Sequence, residues 1–360
     1  MIDTSRHYLK LSIKKKFLDA MSYGKFNVLH KKIVDDQSFP FVSDKFQKKS
    51  GQGSYNNKTH KKNQDDVNKV IEYARLRKKR VVPEFDTPGH TFSWRKKKNL
   101  LTKCYKDGKP DEKKSLSLGP IDPKKNANYD FLKTFFTEIA QRYPDKYMHL
   151  GGDEVPFGCW QSNPVITAWM KSHGIAGNYS LLEQYYEQKL LNKKNSLGKE
   201  YIIWQEVVDN NVKVLPDTVV NVWKGGWQAE MAKVTGTFGL KEKKSSCWYL
   251  NYISYGLEKK KYYQCEPTEK NGTDAQKELV IGGTGKKWGE WVDGTNILPR
   301  TKKMPRAKKI AERLWSSKET TDLEKNGMRI WEHRCRYLRR GIQKKNAIQS
   351  KYCRHEWPLD

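Results

Sequence analysis

Apolar residues recur along the chain in two alternating rhythms. Short runs suited to strands are Phe26-Asn27-Val28-Leu29-His30, Arg80-Val81-Val82-Pro83-Glu84, Tyr147 to Leu150, Tyr201 to Trp204, Thr218 to Trp223 and Leu279 to Gly283. Between them, Val67 to Arg77, Phe131 to Gln141 and Leu181 to Leu191 place apolar side chains at helical spacing. A strand followed by a helix and another strand is the unit of a parallel sheet. A chain of 360 residues is too long for one small module and suits a single (β/α)8 barrel with insertions. The pattern shows no internal repeat and no linker, so one domain spanning 1–360 is expected, with a C-terminal helical tail over about 325–360.

In such a barrel the polar residues at strand C-termini gather at one mouth. The predicted strand ends carry Asp35, Glu84, Asp153, Glu154, Trp204, Trp223, Trp288 and Glu290. Carboxylates accept from sugar hydroxyls, and indole faces stack on sugar C–H surfaces. The stretch His149-Leu150-Gly151-Gly152-Asp153-Glu154-Val155 is the most informative one. Its glycines allow a sharp turn close to a ligand. Its adjacent carboxylates repel each other's ionised form, so one is expected to hold a proton near neutral pH, as a general acid must. Taken alone, the stretch is also what a solvated Gly-Gly turn looks like, and each tryptophan has core packing as its plain alternative.

Composition narrows the picture. No apolar run approaches the roughly 18 residues of a membrane span. The start, Met1 to Arg6, lacks the apolar segment of a signal peptide. Net charge is +29, which attracts nucleic acid or anionic glycans. The lysines are dispersed, as in Lys14-Lys15-Lys16 and Lys96-Lys97-Lys98, with no nucleic-acid-binding signature. Solvated basic faces are therefore the reading, with no specific nucleic-acid partner. Six cysteines lack any C-x-x-C pair, so zinc or redox chemistry is not expected; no metal and no cofactor are part of the reading. Acceptor sequons at Asn57, Asn178 and Asn271 support a secretory route weakly.

The ordered motifs Asp3-Thr4-Ser5-Arg6-His7-Tyr8, Glu84 to His90, His149 to Val155, Trp204-Gln205-Glu206 and Trp248-Tyr249-Leu250-Asn251 resemble glycoside hydrolase family 20. More narrowly, they resemble the catalytic domain of animal lysosomal-type β-N-acetylhexosaminidases. The resemblance runs from Ile2 to about Trp357. It implies a (β/α)8 barrel whose preceding α+β domain is missing here and whose first strand is shortened. It implies removal of terminal β-linked GlcNAc or GalNAc by substrate-assisted catalysis, in which the sugar's own acetamido oxygen attacks the anomeric carbon. Glu154 would be the acid and then the base, Asp153 would orient the acetamido group, and Tyr249 would bond its oxygen. Trp204, Trp223 and Trp288 would wall the sugar. Arg6, Glu290 and Asn251 would hold ring hydroxyls, and His90 and Asp35 would position the acid. Disulfides Cys104–Cys159 and Cys335–Cys353 follow from the same resemblance, while Cys247 and Cys265 either bridge or stay free. Glycan substrates, a homo- or heterodimer with a related subunit, and a lysosomal or secreted location are implied as well.

Departures from the family pattern raise a second reading. His30-Lys31-Lys32 stands where the family has His-Trp-His, and Gly282 to Trp288 departs from Gly-Gly-Glu-Ala-x-x-Trp. Lys241-Glu242-Lys243-Lys244-Ser245 occupies the place of an apolar seventh strand, and Lys308-Lys309-Ile310 that of a small-residue helix segment. A lysine pointing inward costs several kcal/mol unless it is paired, reaches water or loses its proton. The alternatives to a hydrolase are a glycan-binding pseudoenzyme with weak or no turnover, which these lysines motivate, and a basic protein that binds polyanions by charge, which the net charge of +29 motivates. After Tyr249-Leu250-Asn251, Tyr252 stands where the family's α-type subunit has an arginine for sulfated sugars, so preference for such sugars is not expected.

Overall fold

The computed structural model describes residues 1–46, 52–111, 118–194, 197–252, 259–295, 297, 303–342 and 353. Eight strands form one sheet in chain order: β1 (Ile2–Asp3), β2 (Val28–Lys32), β3 (Arg80–Glu84), β4 (Tyr147–His149), β5 (Glu200–Trp204), β6 (Val219–Val222), β7 (Lys241–Lys244) and β8 (Val280–Gly283). Pairing is parallel, with Glu84 opposite His149, Met148 opposite Tyr201, Ile202 opposite Val219 and Glu242 opposite Val280. Ile2 makes a parallel bridge to Lys287, just beyond β8. Sequential parallel strands joined by helices are the (β/α)8 architecture. By contacts, the chain divides into a unit of Met1–His30, Lys69–Val81 and Val222–Asp360, and a unit of Lys31–Asn68 and Val82–Asn221.

In the first unit, helix Leu11–Tyr23 buries Phe17, Leu18, Ala20 and Met21. Helix Leu323–Arg339 starts at Asp322, whose carboxylate accepts from the Glu324 and Lys325 amides, a standard N-cap. It buries Ile330, Arg334 and Tyr337 on one face, and the Tyr337 hydroxyl donates to the Ala20 carbonyl at 2.6 Å. This helix lies at the start of the span 325–360 that was expected to form a C-terminal helical tail. The tail beyond residue 342, apart from Cys353, lies outside the described residues.

The polar seventh strand forms, and its charges are accommodated in different ways. Buried Glu242 pairs with buried Lys270 at 3.0 Å. The Lys244 ammonium nitrogen lies 2.8 Å from the centre of the Trp227 ring and 5.7 Å from that of Trp248. Burial lowers its pKa to about 6, despite nearby Glu266, Glu269 and Glu242. Lys287, also buried, donates to the Ile297 carbonyl. Pairing and proton loss thus offset much of the expected cost of inward lysines.

In the second unit, Phe39, Phe41, Phe85, Trp94 and Phe135 meet edge to face or tilted, with Phe39–Trp94 centroids 4.9 Å apart and Phe85–Phe135 centroids 5.1 Å apart. Helix Asn126–Arg142 supplies Phe135 and also buries Leu132, Phe136 and Ile139, an i, i+3, i+4 pattern. Helix Tyr179–Lys194 carries Glu183 and Glu187 on its buried face. Asn210 donates to Glu183 at 2.7 Å. Burial, then repulsion from Glu187, raises the Glu183 pKa from 4.5 to about 9. A carboxyl whose folded pKa is raised stabilises the fold fully below its unfolded pKa and loses that contribution as pH rises through the folded one. Glu183→Gln should therefore flatten the fall in stability between about pH 4.5 and pH 9. Urea midpoints measured across that range check this, and a slope unchanged from wild type would contradict it.

Candidate active site

The site is built on the C-terminal ends of β2, β3 and β4. After β4 the chain turns through Gly151 (φ +80°) and Gly152 (φ +90°) into Asp153 and Glu154. A Cβ on Gly151 would lie 1.7 Å from Asp86 Oδ1, and one on Gly152 2.3 Å from a Val207 methyl. The turn is thus closed to other residues by conformation and by space. Asp86 Oδ1 accepts from the Gly152 amide at 3.0 Å. Gly151→Ala should lower the thermal midpoint markedly, because it adds left-handed strain of roughly 1–3 kcal/mol and displaces Asp86. A wild-type melting curve would contradict that account of the turn.

After β3, the run Phe85 to His90 crosses a cis Thr87–Pro88 bond and ends with His90 at φ +52°. His90 Nδ1 lies 3.2 Å from Asp35 Oδ1. Its Nε2 lies 3.5 Å from Glu154 Oε2 and 3.6 Å from Asp153 Oδ2. Asp153 is buried, whereas the Glu154 side chain is 61% exposed. A cavity of about 830 Å³ opens here, lined by Glu154, His90, Asp36, Phe92, Arg95 and Tyr105 among others.

The electrostatics correct one expectation. Neither Asp153 nor Glu154 is set to hold a proton. Burial works to raise the Asp153 pKa, but the Lys32 and His90 cations overcome it and hold the carboxyl below its usual range. The His90 imidazole, 3.5 Å away, lowers Glu154. Burial and then repulsion from Asp153 push Asp86 well above the carboxylate range. Burial opposes charge on His90, yet Asp153 and the bonds to Asp35 and Glu154 hold its pKa well above normal. Two cations beside the acid pair remove the repulsion that the bare sequence pattern implied.

Of the residues expected at the site, Asp35, His90, Asp153 and Glu154 meet in this cluster. Trp204 does not line the cavity. It is fully buried, with Nε1 donating to Glu84 Oε1 at 3.1 Å and its ring against His149. In the first unit, Arg6 pairs with Asp3 at 3.0 Å and with Glu290 at 3.4 Å, and its guanidinium lies 5.1 Å from the Trp288 ring centre. Trp223 and Tyr249 meet with centroids 6.3 Å apart. Tyr252 stacks on Tyr249 at 5.1 Å, and Asn251 is buried. The residues that the sequence reading passed over are Lys32, Asp86 and Asp3. Asp86 and Asp3 sit inside motifs already singled out, and that was their only signal. Lys32 was marked only as a departure from the family's His-Trp-His, a lysine to be paired or solvated, and not as a residue of the site.

Cys104–Cys159, Cys335–Cys353 and Cys247–Cys265 are all bonded. The first two match the expected pairs, and the third settles the pair left open. Asn57, Asn178 and Asn271 are exposed. Among the described residues, no helix is long and apolar enough to cross a membrane.

The catalytic-domain profile of glycosyl hydrolase family 20 matches residues 1–318. The chain is 49% identical to the human beta-hexosaminidase subunit beta, covering 99% of this chain and 63% of that one. It is 47% identical to the bovine beta-hexosaminidase subunit alpha, covering 99% and 67%. It thus spans less than two thirds of the human relative. Among solved structures, the chitobiase of Flavobacterium johnsoniae superposes with a TM-score of 0.78 at 24% identity, over 97% of this chain and 52% of that one. The β-N-acetylhexosaminidase of Bacteroides fragilis does so with a TM-score of 0.79 at 20% identity, over 97% and 72%. At such identities the superpositions speak for the barrel fold. Sequence similarity over nearly its whole length carries the assignment further: this chain belongs to glycosyl hydrolase family 20.

Proposed function

We propose that the protein is an exo-acting, retaining β-N-acetylhexosaminidase that removes terminal GlcNAc or GalNAc from glycoconjugates. The observation that carries this reading is His90, whose one face meets both Asp153 and Glu154 while the other meets Asp35. In substrate-assisted hydrolysis the 2-acetamido oxygen attacks the anomeric carbon, and the glycosidic oxygen leaves with a proton from Glu154. Asp153, held as a carboxylate, orients the acetamido N–H and stabilises the positive charge of the oxazolinium. Glu154 then takes a proton from the water that opens this intermediate. A sugar seated over the exposed Glu154 would strip water from it and raise its pKa toward that of an acid. Tyr249 bonds the acetamido oxygen, Arg6, Glu290 and Asn251 hold ring hydroxyls, and Trp223 and Trp288 face the sugar.

Release of methylumbelliferone from its β-GlcNAc glycoside across the acidic to neutral range tests this. Folded protein without turnover would refute it. The pseudoenzyme reading has one observation in its favour, the burial of Trp204 against Glu84. Tight binding of a GlcNAc-thiazoline inhibitor without hydrolysis would select it. A single-domain organisation, assembly with a second, related subunit, a lysosomal or secreted location, and glycans on Asn57, Asn178 and Asn271 complete the proposal.

A further inference from the structure

Lys32 ends β2 with its side chain wholly buried. A lone ammonium there would be costly, but the carboxyl groups of three acids surround it: Asp86 Oδ2 at 2.7 Å, Asp35 Oδ2 at 3.1 Å and Glu84 Oε1 at 3.5 Å. The arrangement is directional. Asp86 uses its other oxygen to hold the Gly152 amide at 3.0 Å, in the turn that carries Asp153. Asp35 uses its other oxygen on His90 Nδ1 at 3.2 Å, and His90 faces Glu154 and Asp153. One ammonium therefore anchors both supports of the acid pair.

We infer that Lys32 is a positioning residue of the hydrolytic site: through Asp86 and Asp35 it fixes the acid turn and the imidazole, and its charge makes the carboxylate form of Asp153 the working form. The inference rests on the hexosaminidase reading and names a residue of that same site. The ionisable groups facing Lys32 and Asp153 are Asp35, Glu84, Asp86, His90 and Glu154, with Tyr186 beside Asp86. Burial opposes the Lys32 charge, yet the acids Asp35, Asp86, Asp153 and Glu84 hold its pKa well above normal. Conversely, Lys32 is the strongest force lowering Asp153 against its burial. Without that cation, buried carboxylates take up protons instead.

The test is the pH profile of kcat/KM for Lys32→Met and Lys32→Arg. Activity is lost on the acid side as Asp153 becomes protonated. Lys32→Met should move that acid limb upward by about one pH unit or more, and Lys32→Arg should leave it in place while lowering the rate. Equal loss at every pH in both variants overturns the inference. If Lys32→Met does not fold, Lys32→Met combined with Glu84→Gln removes one charge of each sign. Its limb should be displaced in the same way, and a native limb overturns the inference. NMR titration of the His90 imidazole gives a readout free of turnover. Loss of the Lys32 charge should raise its midpoint in the methionine variants and not in the arginine one; an unmoved midpoint overturns the inference. Absence of hydrolysis by the wild-type protein refutes the hexosaminidase reading instead, and the His90 titration then decides the role of Lys32.

Discussion

Glu154→Gln should lower turnover of a β-GlcNAc disaccharide by about 10²–10⁴-fold, the usual worth of a positioned general acid. A poor leaving group needs the proton that glutamine cannot give. An aryl glycoside leaves as a stabilised phenolate and should suffer much less in the first step. The fold should be untouched, because the Glu154 side chain is 61% exposed and its one described side-chain partner is His90, at 3.5 Å. Comparing kcat/KM for the two substrates in the same preparation separates chemistry from folding. Equal losses on both substrates would sink the acid assignment, and so would no loss on either.

Lys270→Met should be the most destabilising of these substitutions. It strands Glu242, which is buried on β7 and paired at 3.0 Å with the equally buried Lys270. Removing one member of a buried pair typically costs about 3–5 kcal/mol. Lys270 also donates to the Met231 carbonyl at 3.2 Å and to Thr235, so the loss extends beyond the pair. Burial pushes Glu242 up to about 7, with Lys270 pulling it back. The cost should therefore be read above that pH, where Glu242 carries its charge. Adding Glu242→Leu should recover most of the loss, since an apolar pair replaces a stranded charge. A urea midpoint close to wild type in the single variant would show that the pair contributes little.

The fold was legible wherever local apolar rhythm and tertiary burial agree. Arg80–Glu84 is a strand over the span that its valines indicate. Helix Asn126–Arg142 extends the apolar stretch Phe131 to Gln141 at both ends, and of the added residues Asn128 and Tyr129 are buried, the Tyr129 ring against Tyr186. β2 was displaced by two residues. The apolar reading stops at His30, whereas the strand runs on through Lys31 and Lys32, which no hydrophobic rule would extend. The same physics hid the centre of the site. The carboxylates that hold Lys32 come from positions far along the chain, Glu84 and Asp86, as well as from nearby Asp35. Only tertiary placement shows that they converge. The acid pair and His90 were legible because they lie inside compact motifs, and Asp35 because it follows a strand-like run. The protonation of that pair was not, because it depends on the same distant ammonium.

The Cys104–Cys159 bond has a consequence for the chain as a covalent object. It closes a ring spanning a sequence separation of 55 residues, and that ring contains the run from the 830 Å³ cavity wall at Tyr105 through β4 and the acid pair to Cys159. A single backbone cut inside the ring opens it without releasing a fragment. The two pieces travel as one molecule until a reductant parts them, and the acids stay tethered to the barrel on both sides of the break.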